Sequence, residues 1–104
     1  MYNMKSKWTV YILKCSDGSY YVGHTEDMRK RIPLHNSGRG AAYTAARHPV
    51  VLTYHESSVD KPAAVKREKQ IKRWSRAKKE ALIRGDIELL KNLSRSRSAN
   101  LNTE

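Results

Sequence analysis

Two tyrosines near the start of the chain are the first candidates for chemistry. Tyr11 and Tyr21 stand ten positions apart, and Gly23 follows the second of them by two. A tyrosine oxygen serves as a general base only if nearby cations or a metal ion lower its pKa from about 10. Most tyrosines in hairpins are core or platform residues instead. The pair could therefore activate water, provided that cations lie beside it.

Glu68 is the acidic residue with the most informative position. In the helix predicted around it, Ala64, Ile71 and Trp74 define the apolar side. Glu68 projects within about 60° of the centre of that stripe at 100° per residue. A carboxylate directed toward a protein core must be paired, must coordinate a cation, or must lie at the edge of the apolar stripe.

Two interpretations of Glu68 stay open. It could bind Mg²⁺ (or Mn²⁺), which needs only one or two protein carboxylates beside water and phosphate oxygens. Because the sequence has no cluster of acids of the kind that two-metal nucleases use, a single ion is favoured. Alternatively, Glu68 could pair with an inward-leaning arginine such as Arg31. Its basic neighbours are predicted to face elsewhere: Lys66, Lys69 and Lys72.

Basic side chains suited to phosphate chemistry lie near the tyrosines in sequence. The planar guanidinium of Arg31 suits the negative charge that develops on a pentacoordinate phosphorus. His35 follows Arg31 by four residues, so the two share one face of a helix. His24 and His35 could shuttle protons or bind a metal, although a lone histidine is equally often a surface or capping residue.

The charge of the chain indicates its partner. Twenty-one Lys and Arg against ten Asp and Glu give a net charge of +11 over 104 residues. Such a field attracts polyanions, so nucleic acid held through its phosphates is the expected partner. The alternative is a basic surface that is merely solvated. A membrane partner is disfavoured, because no long basic amphipathic helix is apparent.

The domain organisation is predicted to be simple. Residues 8–93 form one domain, residues 1–7 a flexible lead-in, and the polar residues 94–104 a disordered tail. The single cysteine excludes an internal disulfide, and no signal core or membrane-spanning stretch is present. A cytoplasmic protein is expected. The oligomeric state is left open.

A β-hairpin must position the two tyrosines. Residues 8–15 and 20–25 read as strands, and Ser16, Asp17 and Gly18 suit a three-residue loop. In that register Tyr11 lies opposite Gly23, which puts both tyrosines on one face of the sheet. A two-residue Asp17-Gly18 loop would put them on opposite faces. We expect the three-residue loop.

Helices and a third strand follow the hairpin. Asp27 is expected to cap a helix from Met28 to about Asn36, which Pro33 should kink or shorten. A short helical stretch, residues 41–46, precedes a third strand over residues 50–55. Further helices are predicted over residues 60–74, 75–84 and 86–93.

With these positions in place, residues 8 to about 83 resemble the GIY-YIG nucleases. The paired tripeptides are residues 9–11 (TVY) and 21–23 (YVG), followed by Arg31 in the next helix. Residues 35–40 (HNSGRG) with Tyr43 and Thr44 resemble the linker of the small, stand-alone bacterial branch, which is related to the excinuclease nuclease domain. Residues 68–76 (EKQIKRWSR) resemble the late helix of that branch.

The resemblance implies an α+β fold, a small three-stranded antiparallel sheet flanked by helices. It also implies a phosphodiesterase that uses one divalent cation. Tyr11 or Tyr21 would activate water, Glu68 would hold Mg²⁺, and Arg31 would stabilise the phosphorane. The other positions taken for the catalytic site are Gly23, His24 and His35. The candidate nucleic-acid-binding residues are Arg39, Lys72, Arg73 and Arg76.

The sequence departs from the family pattern at three points. Thr9 replaces the first glycine, His24 replaces a frequent lysine, and no asparagine stands between Ser75 and Gly85. We expect a metal-dependent endonuclease that selects DNA by structure, with branched or flapped DNA in repair or recombination as its substrate. The alternative is a non-catalytic nucleic-acid-binding module of the same fold. A third interpretation is a small accessory protein that docks on a larger repair complex.

Overall fold

The computed structural model describes residues 7–102, and the side chains of residues 7–95. The chain forms two compact units, one ending at Lys72 and one beginning at Arg73. This boundary falls inside the single domain predicted for residues 8–93. Except for Lys7, the predicted lead-in lies outside the described residues.

The first unit is built on a three-stranded antiparallel sheet, as expected for the α+β class. Its strands are β1 (Thr9–Lys14), β2 (Tyr20–Thr25) and β3 (Val51–Ser57), in the order β2-β1-β3. Because β1 is central, its apolar residues are shielded on both faces, and Val10, Tyr11, Ile12 and Leu13 have no exposed surface. The third strand runs later than predicted. A register shift in its pairing with β1, between Ile12 and Leu13, lets it continue to Ser57.

The hairpin has the predicted three-residue loop. Cys15 donates its backbone N–H to the Ser19 carbonyl at 2.8 Å, and Gly18 takes the left-handed φ of +85° that closes this loop type. Tyr11 therefore pairs with Gly23, and both tyrosines lie on one face.

Three helices complete the first unit: α1 (Met28–Asn36), α2 (Ala42–Ala45) and α3 (Lys61–Lys72). The Asp27 carboxylate caps α1 by accepting the Arg29 N–H at 3.0 Å. Pro33 does not shorten α1, which reaches Asn36. The carbonyl that loses its partner to proline belongs to Arg29, an exposed residue, so water can satisfy it.

The two faces of the sheet are covered by different helices. Tyr11 and Leu13 face the side on which Met28 and Ile32 of α1 pack. The opposite face carries Val10 and Ile12, and α3 contacts both β1 and β2. Strand β2 is one of the two edge strands, and its residues can meet side chains from α1 on one face and α3 on the other.

The second unit contains α4 (Arg76–Arg84) and α5 (Ile87–Asn102), which contact each other. The Ser75 hydroxyl caps α4 and Gly85 ends it, as the sequence predicts. Helix α5 extends well past its predicted end at residue 93 and includes most of the stretch expected to be a disordered tail, residues 94–104. That stretch lacks proline and glycine, so nothing in it stops a helix. Residues 103–104 lie outside the described part of the chain. Within residues 7–102, no helix combines the length and apolar character that a membrane span needs.

Candidate active site

The two tyrosines lie side by side on one face of the sheet, Tyr11 on the central strand β1 and Tyr21 on β2 at the edge. Their ring centroids are 6.3 Å apart, and Tyr11 is completely buried whereas Tyr21 is partly exposed. Gly23 makes this arrangement fit, because a Cβ there would lie 2.6 Å from the Tyr11 hydroxyl and 3.0 Å from the Tyr21 ring. A side chain at residue 23 would therefore displace one tyrosine or both.

Helix α1 directs Arg31 and His35 to the same atom, the hydroxyl oxygen of Tyr11. The His35 Nε2 atom is 2.9 Å from it, and the Arg31 Nε–H donates to it at 3.4 Å. The predicted sharing of one helix face is confirmed. His35 is fully buried, so it is neither a surface residue nor a helix cap.

The hydrogen bonds around His35 define its tautomer. The Thr44 hydroxyl donates to the Ala41 carbonyl at 3.0 Å, so its oxygen is left to accept from His35 Nδ1 at 2.6 Å. The proton of the neutral ring therefore resides on Nδ1, and Nε2 accepts the hydrogen bond from Tyr11. Burial and the neighbouring Arg31 charge both lower the pKa of His35, which keeps the ring neutral.

Tyr11 does not have the lowered pKa that a general base requires. Burial raises the pKa of its hydroxyl, and the hydrogen bond from Arg31 only partly opposes this effect. The pKa of Arg31 is raised in turn, first by its bond to Tyr11 and further by its interactions with Tyr21. The guanidinium thus interacts with both tyrosines and remains charged.

Glu68 of α3 lies at the same edge of the sheet, with a side chain only 15% exposed. It accepts hydrogen bonds from His24 Nδ1 at 2.5 Å and from Lys72 Nζ at 2.6 Å. It does not pair with Arg31, and Lys72 does not face elsewhere as predicted. The cause is the spacing of four residues, which lets a long lysine side chain reach the carboxylate one turn earlier. Burial tends to raise the pKa of Glu68, but the bonds from Lys72 and His24 lower it below its usual value.

The donor set around Glu68 suits some cations and not others. No group of three or more His, Cys, Asp or Glu side chains suitable for a metal occurs within the described residues. Zinc in structural sites takes four protein ligands, so such a site does not fit. A single ionised carboxylate fits Mg²⁺, which needs only one or two protein carboxylates and takes water and substrate oxygens as its other ligands.

Aromatic and basic side chains surround Tyr21. The Tyr43 ring stacks on it with centroids 6.2 Å apart, and the His35 ring centroid is 5.2 Å away. Lys72 Nζ lies 6.0 Å from the centre of the Tyr21 ring. The sequence predicts Tyr43 and Thr44 only as linker residues. Their contacts could not be inferred, because α2 is too short to give a periodic signal.

The four candidate nucleic-acid-binding residues fall in different parts of the chain. Within the first unit, Lys72 lies beside the Tyr21 ring, and Arg39 is exposed in the segment after α1. Arg73 and Arg76 belong to the second unit, where both are exposed and Arg76 pairs with Glu80 at 3.2 Å. The assignment of these four residues to nucleic-acid binding stays a prediction.

Comparison with known proteins identifies the family of this chain. The family model described as the GIY-YIG catalytic domain matches residues 7–81. A UPF0213 protein of Bacillus pumilus is 52% identical over 73 residues, which are 70% of this chain and 74% of that protein. A UPF0213 protein of Halobacterium salinarum is also 52% identical, over 70% of this chain and 95% of the relative. The UPF0213 protein BH0048 from Bacillus halodurans, known from a solution NMR structure, is 45% identical in sequence. The match covers 73% of this chain and 81% of the BH0048 chain, with a TM-score of 0.48. The chain therefore belongs to the GIY-YIG family, whose catalytic domain it contains.

Proposed function

We propose that the protein is a metal-dependent endonuclease that hydrolyses phosphodiester bonds in DNA. The observation that carries the proposal is the convergence of Tyr21, Arg31 and Glu68, from three different elements, around the buried Tyr11. Lys72 links the two sides of this site, because its ammonium contacts Glu68 and lies near the Tyr21 ring. Family membership supports a nuclease-type activity and a nucleic acid substrate.

Tyr21 is the better candidate for activating water. A general base must touch the water it deprotonates, and Tyr11 has no exposed surface. Tyr21 is partly exposed, so water can reach it, and the cationic groups of Arg31 and Lys72 lie near its ring. Tyr11 would then act by positioning Arg31 and His35.

Arg31 would stabilise the charge that develops on the phosphoryl oxygens. Its guanidinium is partly buried and bonded through Nε to Tyr11, which fixes its direction. Glu68, with His24 bonded to one of its oxygens, would hold a single Mg²⁺ or Mn²⁺. When bound, such an ion supplies Lewis-acid stabilisation of the phosphate and leaving oxygen.

The substrate would be recognised through its backbone. Guanidinium, ammonium and hydroxyl groups at the site suit phosphates more than base edges, and phosphate contacts carry no sequence information directly. This composition favours selection by DNA structure. We therefore propose branched or flapped DNA as the substrate class and a role in cytoplasmic DNA repair or recombination.

The test compares labelled flapped, branched, duplex and single-stranded DNA, each with Mg²⁺ or with EDTA. We expect cleavage that needs the metal and that falls by about two orders of magnitude or more in Glu68→Gln, with DNA binding retained. The matched control is Glu88→Gln, since Glu88 is an exposed glutamate in the second unit. Undiminished cleavage by Glu68→Gln would remove Glu68 from the mechanism. Binding without cleavage in both Mg²⁺ and Mn²⁺ would favour the non-catalytic binding module.

The same assay distinguishes the tyrosines. Tyr21→Phe should lose cleavage while the protein folds normally, because its ring contacts survive. Tyr11→Phe removes a buried hydroxyl bonded to His35, so it should also lower stability. Full activity in Tyr21→Phe would transfer the role of general base to another group.

A further inference from the structure

Both oxygens of the Glu68 carboxylate are occupied by cationic or donor groups of the protein itself. The Oε1 atom accepts from His24 Nδ1 at 2.5 Å, and the Oε2 atom accepts from Lys72 Nζ at 2.6 Å. Each oxygen keeps a second lone pair, but a divalent ion there would lie close to the ammonium of Lys72 or to the ring of His24, so its binding is favoured when one of these partners moves away. The two partners differ in how easily they can leave.

Lys72 is the partner that can leave at lower cost. Its side chain is 48% exposed, against 27% for His24. His24 is held on strand β2 with its ring 5.9 Å from that of Trp8, whereas the ammonium of Lys72 sits on a flexible stem of four carbons. A rotation about the side-chain bonds would free Oε2 without moving the backbone.

We propose that Lys72 is a tethered cation that occupies the carboxylate of Glu68 in the metal-free protein and yields it when a divalent ion binds. The released ammonium then pairs with a phosphate of the nucleic acid. This inference rests on the proposed function for the identity of the polyanion. Its first part, the competition for Glu68, concerns the metal alone.

The consequence is coupling between the metal and the nucleic acid. Near Glu68 the ammonium and a divalent ion repel each other and compete for one oxygen. A phosphate offers the ammonium a new partner, which lowers the cost of freeing Glu68. By linkage, nucleic acid then raises the affinity for metal by the same factor by which metal raises the affinity for nucleic acid.

The experiment measures the affinity of the purified protein for Mn²⁺ by electron paramagnetic resonance, and for Mg²⁺ by calorimetry. We expect Lys72→Gln to bind either ion about 10-fold more tightly than the unmodified protein. The matched control is Lys69→Gln, which removes the same charge from an exposed position of the same helix. It should change the affinity by less than about 3-fold. Lys72→Arg keeps a cation at Glu68 and should bind metal no more tightly than the unmodified protein.

The second arm repeats the titration with a DNA oligonucleotide whose phosphodiesters are replaced by uncleavable methylene analogues that keep the charge. The DNA should raise metal affinity at least 5-fold in the unmodified protein and much less in Lys72→Gln. Equal shifts in Lys72→Gln and Lys69→Gln would overturn the proposal, as would the absence of metal binding by Lys72→Gln. Tighter metal binding by Lys72→Gln without any cleavage of DNA would keep this inference and overturn the nuclease.

Discussion

At the scale of single residues, His35 is the buried side chain that joins Tyr11 to Thr44. It lies between the Tyr11 hydroxyl and the Thr44 hydroxyl, and every polar atom of its ring has a partner. A buried imidazole with this arrangement loses a hydrogen-bond acceptor when Nε2 is protonated, and it gains a charge beside Arg31. Both effects oppose protonation of His35 in the folded protein.

This opposition predicts a loss of stability in mild acid. The pKa of His35 is lowered from 6.5 in the folded state, so the unfolded chain takes up the proton first. The free energy of unfolding should therefore fall as the pH drops below about 6.5. Above that pH, His35 should make the free energy of unfolding no larger, because the ring is neutral in both states. Urea denaturation between pH 8 and pH 5 measures the effect.

Matched variants assign the acid effect to its residue. His35→Gln removes the titrating ring and should flatten the dependence between pH 6.5 and pH 5. His55→Gln, at an exposed position of β3, should preserve it. Glu68 contributes at lower pH, because its lowered pKa makes its stabilisation disappear only as the pH falls below about 4.5. An unchanged dependence in His35→Gln would mean that another group is responsible.

The sequence predicted some of these residues and not their partners. Tyr11, Arg31 and His35 follow from strand and helix periodicity, which act over a few residues. The bond from His35 to Thr44 and the bond from Lys72 to Glu68 depend on loop conformation and on side-chain rotamers, which periodicity does not determine. The raised pKa of Tyr11 could not be foreseen either, because it results from complete burial of the side chain, which strand periodicity alone does not determine.

At the scale of elements, the hairpin decides whether the site can form. Its three-residue loop sets the register, and the register brings Gly23 under the Tyr11 hydroxyl. The register was predictable, because Ser16, Asp17 and Gly18 suit a three-residue loop. The extension of β3 was not predictable, because its pairing with β1 shifts register at Thr53, whose hydroxyl donates to the Ile12 carbonyl at 2.9 Å, and such a shift leaves no periodic signal in the sequence.

Gly23→Ala tests this role of the hairpin. The added methyl group would meet the Tyr11 hydroxyl oxygen at 2.6 Å and its ring carbon Cζ at 2.7 Å. We expect a loss of about 1–3 kcal/mol of stability from overpacking, together with displacement of Tyr11 from His35. Urea denaturation measures the first effect, and the NMR chemical shifts of the His35 ring report the second.

A double variant provides the control for Gly23→Ala. In Gly23→Ala combined with Tyr11→Phe the nearest clashing atom is absent, so the two destabilisations should sum to more than the measured value. The double variant should regain only part of the lost stability, since the Cζ ring carbon of residue 11 remains close to the added methyl group. Strict additivity would show that the methyl group and the hydroxyl do not meet.

At the scale of the whole molecule, charge dominates. The net charge of +11 was evident from the sequence. Attraction to nucleic acid could therefore be predicted without knowledge of the fold. The division of the chain at Lys72 was not evident, because no proline, glycine or change of composition marks it. The family model spans this division, since it extends to residue 81.

The charge predicts a steep dependence of DNA binding on salt. If about five phosphates of duplex DNA are neutralised, log affinity should fall with log salt at a slope of about −4.5, because each contact releases about 0.9 of a counterion. Fluorescence anisotropy in EDTA, between 50 and 300 mM KCl, measures the slope without cleavage. With the uncleavable oligonucleotide described above, Lys72→Gln should reduce the magnitude of the slope by up to about 0.9 only when Mg²⁺ is present, since in EDTA the ammonium remains on Glu68. A slope near zero would contradict phosphate recognition altogether. A reduction that is the same with and without Mg²⁺ would mean that Lys72 reaches the phosphate while Glu68 still lacks its metal.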